Sequence, residues 1–304
     1  MENTALIVTK DSRNKRFNFR RKITTIINKK INTIKNNCRI YIAYFKMKFL
    51  NEIQYKIAAI AGILTQFSWG FMYVMLYTAF LKEGTSDYSV SQMCTYIWLT
   101  QAFFTMFNIW ALDNEILDEC RTGIISTELI KPVDLYYIWH SKTLGTKLAK
   151  VTLRAVPILV ICSMPFMGQF RLMPPVSFGA LLLSILTFII SAGIMLAYIM
   201  IMYVAVMKTV TSQGMRTAFY LVFDFCSGGL VPIPFMPEVI VKILKFTPFY
   251  YMQNISSNIY NGYITNAGEI VRAILFQILW LIILTVIGKK MMKNQIRKVE
   301  VNGG

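Results

Sequence analysis

Long uncharged runs separated by short charged links set the rhythm of this chain. Residues 57–80 and 88–112 contain no charged side chain, and the run opened by Pro174 and Pro175 stays uncharged as far as Met207. At about 1.5 Å per helical residue each run can cross a hydrocarbon core of about 30 Å. The third is long enough to tilt or to project beyond it. Three further runs complete six predicted spans. One follows a basic approach of Lys142, Lys147, Lys150 and Arg154 and continues to about Phe170, with Arg154 expected inside the helix and snorkelling toward the cytoplasmic surface. Another begins near Thr217 and contains Asp224. The last runs from about Ile270 to Gly288 and ends in Lys289, Lys290, Lys293, Arg297 and Lys298.

Three segments depart from this rhythm. Residues 112–142 form a charge-rich interruption between the run over 88–112 and the one that continues to about Phe170. Within it Ile125 and Leu129 share one helical face, Glu128 and Lys131 stand three apart, and Lys131 precedes Pro132, so a short helix is predicted to stop there. Asp134 is placed to cap a second helix carrying Tyr136, Tyr137, Trp139 and His140 to the membrane surface. The segment reads either as a handle for a cytoplasmic partner or as a solvated connector. Residues 227–268 contain Gly228, Gly229, Pro232, Pro234, Pro237 and Pro248, which forbid one continuous helix and predict re-entrant or interfacial half-helices on the outer side. At the other end, residues 1–30 form a basic tail attracted to anionic lipid. Residues 31–54 follow as an interfacial elbow helix, with Ile40, Tyr44, Met47 and Leu50 on one face and Arg39, Lys46 and Lys48 at its flanks. The resulting organisation is tail 1–30, elbow 31–54, a transmembrane domain over 55–291 and a cytoplasmic tail 292–304.

Composition agrees with this reading and removes others. With 55% hydrophobic residues, 15% charged residues and a mean hydropathy of +0.49, the chain is too apolar for a soluble fold of this size and is expected to be an all-α integral membrane protein. The net charge of +17 would suit nucleic acid, but the basic residues flank apolar runs and line no polar domain, so no nucleic-acid partner is expected. Charge also orients the spans. With the amino terminus inside, only Lys82, Arg171, Lys242, Lys245 and Arg272 of the 32 Lys and Arg fall outside, which satisfies the positive-inside rule. Both termini and residues 112–142 are then cytoplasmic. The first fifty residues carry no secretory signal pattern, and the five cysteines show no CxxC pair or metal spacing.

Candidate chemistry is sparse. No GxxxxGK[ST] loop or dinucleotide glycine pattern occurs, so the chain is expected to hydrolyse no ATP itself and not to be an enzyme. His140 is the sole histidine, which leaves no two-histidine metal site and suits an aromatic-belt role beside Trp139. Asp224 is a carboxylate inside an apolar run, at a cost of about 2.5–3.5 kcal/mol on insertion scales. It either lines a polar path or hydrogen-bonds a neighbouring helix. The aromatics of the second run, Trp98, Phe103 and Phe107 among them, serve either packing or contact with an amphiphilic cargo. A secondary transporter or channel using Asp224 and a membrane-embedded lipid enzyme are the competing classes. The first has one intramembrane carboxylate to work with, and the second has no cluster of His, Asp or Cys.

Two of these segments carry a resemblance. Arg121, Gly123, Leu129, Lys131, Pro132 and Val133 are similar to the inner-loop pattern of the ABC-2 type permeases of ATP-binding-cassette exporters, in their bacterial six-span branch. Ser227, Gly228, Pro232, Pro237, Pro248, Phe249, Tyr250 and Gly262 resemble that branch's outer pattern. The resemblance implies a half-transporter in a bacterial inner membrane, made of two permease chains, identical or related, on two cytoplasmic ATPase subunits that bind ATP and Mg. No cofactor is then expected in this chain, and membrane lipid surrounds it. It implies that the loop between spans two and three is a coupling helix, with Glu119, Arg121, Gly123, Glu128, Leu129, Lys131 and Pro132 contacting the ATPase. Gly228, Gly229, Pro232, Pro237 and Pro248 would shape an outer gate, and Asp224, Trp98, Phe103 and Phe107 would line the path. The expected cargo is amphiphilic or apolar: a lipid, drug or antimicrobial peptide.

Overall fold

The computed structural model describes residues 36–82, 88–110, 113–122, 128, 130, 133–209 and 212–297. The chain divides into two compact units, Met1–Tyr44 and Phe45–Gly304. In the first, residues 36–44 are helical. The second is all-helical over its described residues: α1 (45–53), α2 (Lys56–Lys82), α3 (Val90–Ala102), α4 (Phe104–Phe107), α5 (Asn114–Thr122), α6 (Leu135–Ser163), α7 (Phe178–Val206), α8 (Ser212–Ser227), α9 (Glu238–Leu244), α10 (Asn254–Tyr260) and α11 (Ala267–Ile296).

The core is built on α7. From Ala192 to Val206 nearly every side chain of this helix is buried, and α10 and α11 pack along it. Gly193 receives Leu281 of α11, whose Cδ1 would stand 3.2 Å from an added Cβ, so a small residue sets the approach of the two long helices. Their opposite faces are uncovered. On α11, Val271, Leu275, Leu279, Ile282 and Val286 form an exposed apolar stripe, and α2 exposes Ile57, Ile60, Leu64, Met72 and Met75. Such stripes suit lipid contact. By length and composition, three described helices are able to cross a membrane: Lys56–Leu81, Phe178–Val206 and Ala267–Ile296.

The other three expected spans differ from the sequence reading. The second, expected as one run over 88–112, is broken. Ser89 and Gln92 form a capping box that starts α3, but the helix ends at Ala102, Phe103 adopts φ −98° and ψ 9°, α4 adds one turn, and Asn108 is extended. Neither glycine nor proline marks the break. Lys147 of α6 donates to the Thr105 carbonyl at 3.2 Å and the Asn108 carbonyl at 2.8 Å, giving partners to acceptors that an unbroken helix would have satisfied internally. The third is longer than expected. Asp134 caps α6 by accepting from the Tyr136 N–H at 2.9 Å, and the loop's second helix and the span are one element of 29 residues. The fifth starts at Ser212 and spans 16 residues.

Residues 227–268 are discontinuous, as their glycines and prolines require. Gly228 (φ 86°) turns the chain out of α8 in a left-handed conformation that favours glycine. One-turn 3₁₀ segments at Ile233–Phe235 and Phe249–Tyr251 alternate with α9 and α10. Their apolar faces form a cluster with α11 that includes Ile233, Leu244, Tyr251, Ile255, Ile259 and Ile270. The irregular backbone is tied to the long helices by Gln277, fully buried, whose amide donates to the Tyr251 carbonyl at 2.8 Å and to Ser191 Oγ at 3.0 Å.

Candidate functional site

Two constructions stand out: an ionic hub around α5 and a cavity between α2, α3, α6 and α8. The hub begins with a spacing visible in the sequence. Glu115 and Glu119, four apart on α5, share a face, and that face meets Lys142 on α6. The Lys142 ammonium is almost fully buried and lies 3.1 Å from Glu119, 3.4 Å from Glu115 and 3.7 Å from Glu128. Lys48 of α1 closes the other side, 2.8 Å from Asp113 and paired with Glu115. Alongside, Lys150 of α6 pairs with Glu52 at 3.6 Å, and Arg216 of α8 donates to Asn114 Oδ1 at 3.1 Å. One short helix is thereby fastened to three others.

Electrostatics follow the geometry. Burial works against the Lys142 ammonium, but Glu119, Glu128 and Glu115 outweigh it and hold its pKa above the ordinary value; Lys48 is raised in the same way against burial by Asp113 and Glu115. Burial pushes Glu115 upward, yet Lys48 and Lys142 prevail and lower it. Glu119 goes the other way, raised by burial and by its carboxylate neighbours despite Lys142. Close packing accompanies the ion pairs: an added Cβ at Gly145, one turn beyond Lys142, would stand 2.5 Å from the Phe45 carbonyl oxygen of α1.

The cavity has a volume of about 560 Å³ and runs along one face of α2, past Gly62, Gln66, Trp69, Tyr73 and Tyr77. Opposite lie Thr100, Gln101, Phe107 and Asn108 of the broken second run, Arg154 of α6, and Tyr220 and Asp224 of α8, with Gly228, Gly229 and Pro232 at the far end. Arg154 is folded across Gly62, where an added Cβ would stand 2.2 Å from its Cζ, so it lines the cavity and the expected snorkelling to the surface gives way to this placement. Asp224 accepts no cation among the described residues. Its backbone carbonyl takes the Gly229 N–H at 2.9 Å and its side chain occupies the space where Gly229 has no Cβ.

The residues singled out from the sequence therefore scatter. Asp224 and Phe107 line this cavity with Gly228, Gly229 and Pro232. Trp98 does not: fully buried, it rests on Gly70 between Phe67 and Phe71 and donates to the Phe170 carbonyl at 2.7 Å, a packing role. Phe103 faces a separate, mostly apolar cavity of about 510 Å³ and packs on Phe188. Pro237 precedes α9 and Pro248 precedes the Phe249–Tyr251 turn, both apart from the cavity. Glu119 and Glu128, expected to face a partner, are turned inward onto Lys142. Gly123, Leu129, Lys131, Pro132 and the Arg121 side chain lie outside the described residues. Lys48 was placed at the flank of an elbow helix and is instead buried in the hub, while Met47 and Leu50 are exposed. Sequence reasoning passed over Gln66, and it gave Lys142 and Lys147 no roles beyond a basic approach. The signal available was a run of four basic residues on α6, Lys142, Lys147, Lys150 and Arg154, with no acidic residue between them.

Residues 59–303 match the family described as ABC-2 family transporter protein. No curated protein sequence matches the chain.

Proposed function

Because this chain belongs to the ABC-2 family of transporter proteins, as the match over residues 59–303 shows, we propose that it is one permease half of an ATP-driven exporter for amphiphilic or apolar cargo. Membership makes it a membrane permease of an ABC transporter and implies an ATP-binding-cassette ATPase as partner. The finer reading adds a second permease chain, six spans with both termini in the cytoplasm of a bacterial cell, and ATP and Mg held by the partner. Residues 112–142 act in it as the coupling segment, with Arg121, Gly123, Leu129, Lys131 and Pro132 at the ATPase surface and Glu119 and Glu128 positioning the loop from behind.

The observation that carries this is the hub. A push on the loop reaches α5, and from α5 the ion pairs lead into α1 and α6 and the Arg216–Asn114 bond into α8. Two of those helices, α6 and α8, also line the cavity. ATP binding then shifts the permease only by its different affinity for the two states of that linkage. Leu129→Asp or Gly123→Trp is expected to uncouple ATP hydrolysis from export in the reconstituted complex while the chain still inserts. Unchanged export would count against the lever. A secondary transporter using Asp224 has a single carboxylate among the described cavity residues with which to hold a coupled ion.

A further inference from the structure

The α2 face along the cavity is divided. Near its start stand Gly62 and Gln66, and further along Trp69, Tyr73 and Tyr77. Gly62 and Tyr77 are separated by about 22 Å of helix, and the polar part passes into the aromatic part between Gln66 and Trp69, about one turn apart.

The polar end holds groups that go unanswered among the described residues. Gln66 is 3% exposed, and neither its amide nitrogen nor its amide oxygen has a hydrogen-bond partner among the described residues. The Thr100 hydroxyl, lining the same cavity, is also buried without one. The Arg154 guanidinium lies over Gly62 with no ion-pair partner among the described residues; Glu52, whose charge reaches it, is paired with Lys150 at 3.6 Å. Each buried orphan costs about 1–3 kcal/mol, and an arginine in an apolar bundle adds to that. Gly62 completes the arrangement, since any side chain there would fill the space that the guanidinium occupies.

A ligand that satisfies these groups must offer negative charge and acceptor oxygens to the Arg154 guanidinium and Gln66 Nε2, and a hydroxyl donor to Gln66 Oε1, the pattern of a singly protonated phosphate monoester facing a planar guanidinium. Beyond that head it meets Trp69, Tyr73 and Tyr77, an apolar wall. Asp224 stands at the aromatic end, within electrostatic reach of Tyr73, and disfavours a second anionic group there. We propose that this cavity binds an amphiphile with one anionic head, seated on Arg154 and Gln66, and with its apolar body along Trp69–Tyr77. This deepens the permease reading, on which its role as a cargo site rests.

The test uses the full chain in nonionic detergent and, as probe, dodecyl phosphate carrying a photoreactive diazirine at the far end of the tail. Adducts are expected on peptides spanning Trp69–Tyr77 or Tyr220–Leu230, suppressed by excess unlabelled dodecyl phosphate and not by dodecyltrimethylammonium. Arg154→Gln should reduce labelling about tenfold, Arg154→Lys, which keeps the charge and loses the planar fork, should fall between Arg154→Gln and wild type, and Asp224→Asn should not lower it. Adducts elsewhere, or equal competition by the cationic amphiphile, would overturn the proposal on the wild-type chain alone, so the result does not depend on whether a variant folds. Co-purification of an ATPase is scored separately. A chain that holds its ATPase but takes no label loses this site and keeps the permease assignment, and the converse result does the opposite.

Discussion

Lys142 shows how much a single side chain carries. Its ammonium answers three carboxylates from a position almost closed to water, and for Glu119, itself largely buried, it is the one ion-pair partner among the described residues. Lys142→Met is expected to cost about 3–5 kcal/mol, the range for breaking a buried ion pair, and to lower the melting temperature of the purified chain. The effect depends on pH with a definite sign. The raised lysines stabilise below their ordinary pKa and lose that contribution as pH rises through the raised value; the lowered Glu115 stabilises above its ordinary pKa and loses it as pH falls. Glu119, raised, opposes them as pH climbs through the upper carboxylate range. Without Lys142 that opposition grows, so the gap between wild type and variant should be wider at about pH 8 than at about pH 4. A gap independent of pH would mean that the loss is one of packing.

Among the elements, the broken second run and the docking of α1 separate what patterning reveals from what it hides. Lys147→Met leaves the Thr105 and Asn108 carbonyls without their donor and should destabilise by about 1–3 kcal/mol. Melting curves in detergent measure this directly, and an unchanged midpoint would remove Lys147 as the reason for the break. Gly145→Val should drive α1 off α6, because the obstructing atom is backbone rather than a side chain that can swing aside. Limited proteolysis at 54–55, between α1 and α2, should then accelerate while α6 stays intact. Apolar run length and the glycines and prolines of 227–268 made the long helices and the discontinuous segment legible in the sequence, and Asp134 announced the start of α6. The break at Phe103 was not legible, since the donor that meets the freed carbonyls lies about 40 residues later, in a lysine read only as part of a basic approach. The hub was half legible. The i, i+4 spacing of Glu115 and Glu119 was in view, but their partners Lys48 and Lys142 come from helices that only tertiary structure brings together.

For the whole molecule, the exposed apolar stripes on α2 and α11 and the polar-ended cavity between the helices describe a body that faces lipid outside and holds polar groups within. On the proposed reading the motor is the partner ATPase. In sealed vesicles the chain without an ATPase is expected to move no amphiphile in either direction, and addition of the ATPase with ATP should start transport. Movement driven by a proton or sodium gradient alone would return Asp224 and the coupled-transporter reading to the front.

The guanidinium over Gly62 also bears on what must not pass. Arginine keeps its charge at every pH a cell meets, so a fixed positive point sits in a groove wide enough for a greasy molecule and the water around it. Small cations are repelled by such a point. Were cargo to pass this cavity, that charge would stand beside it against the entry of small cations, with the Asp224 carboxylate at the aromatic end acting the other way.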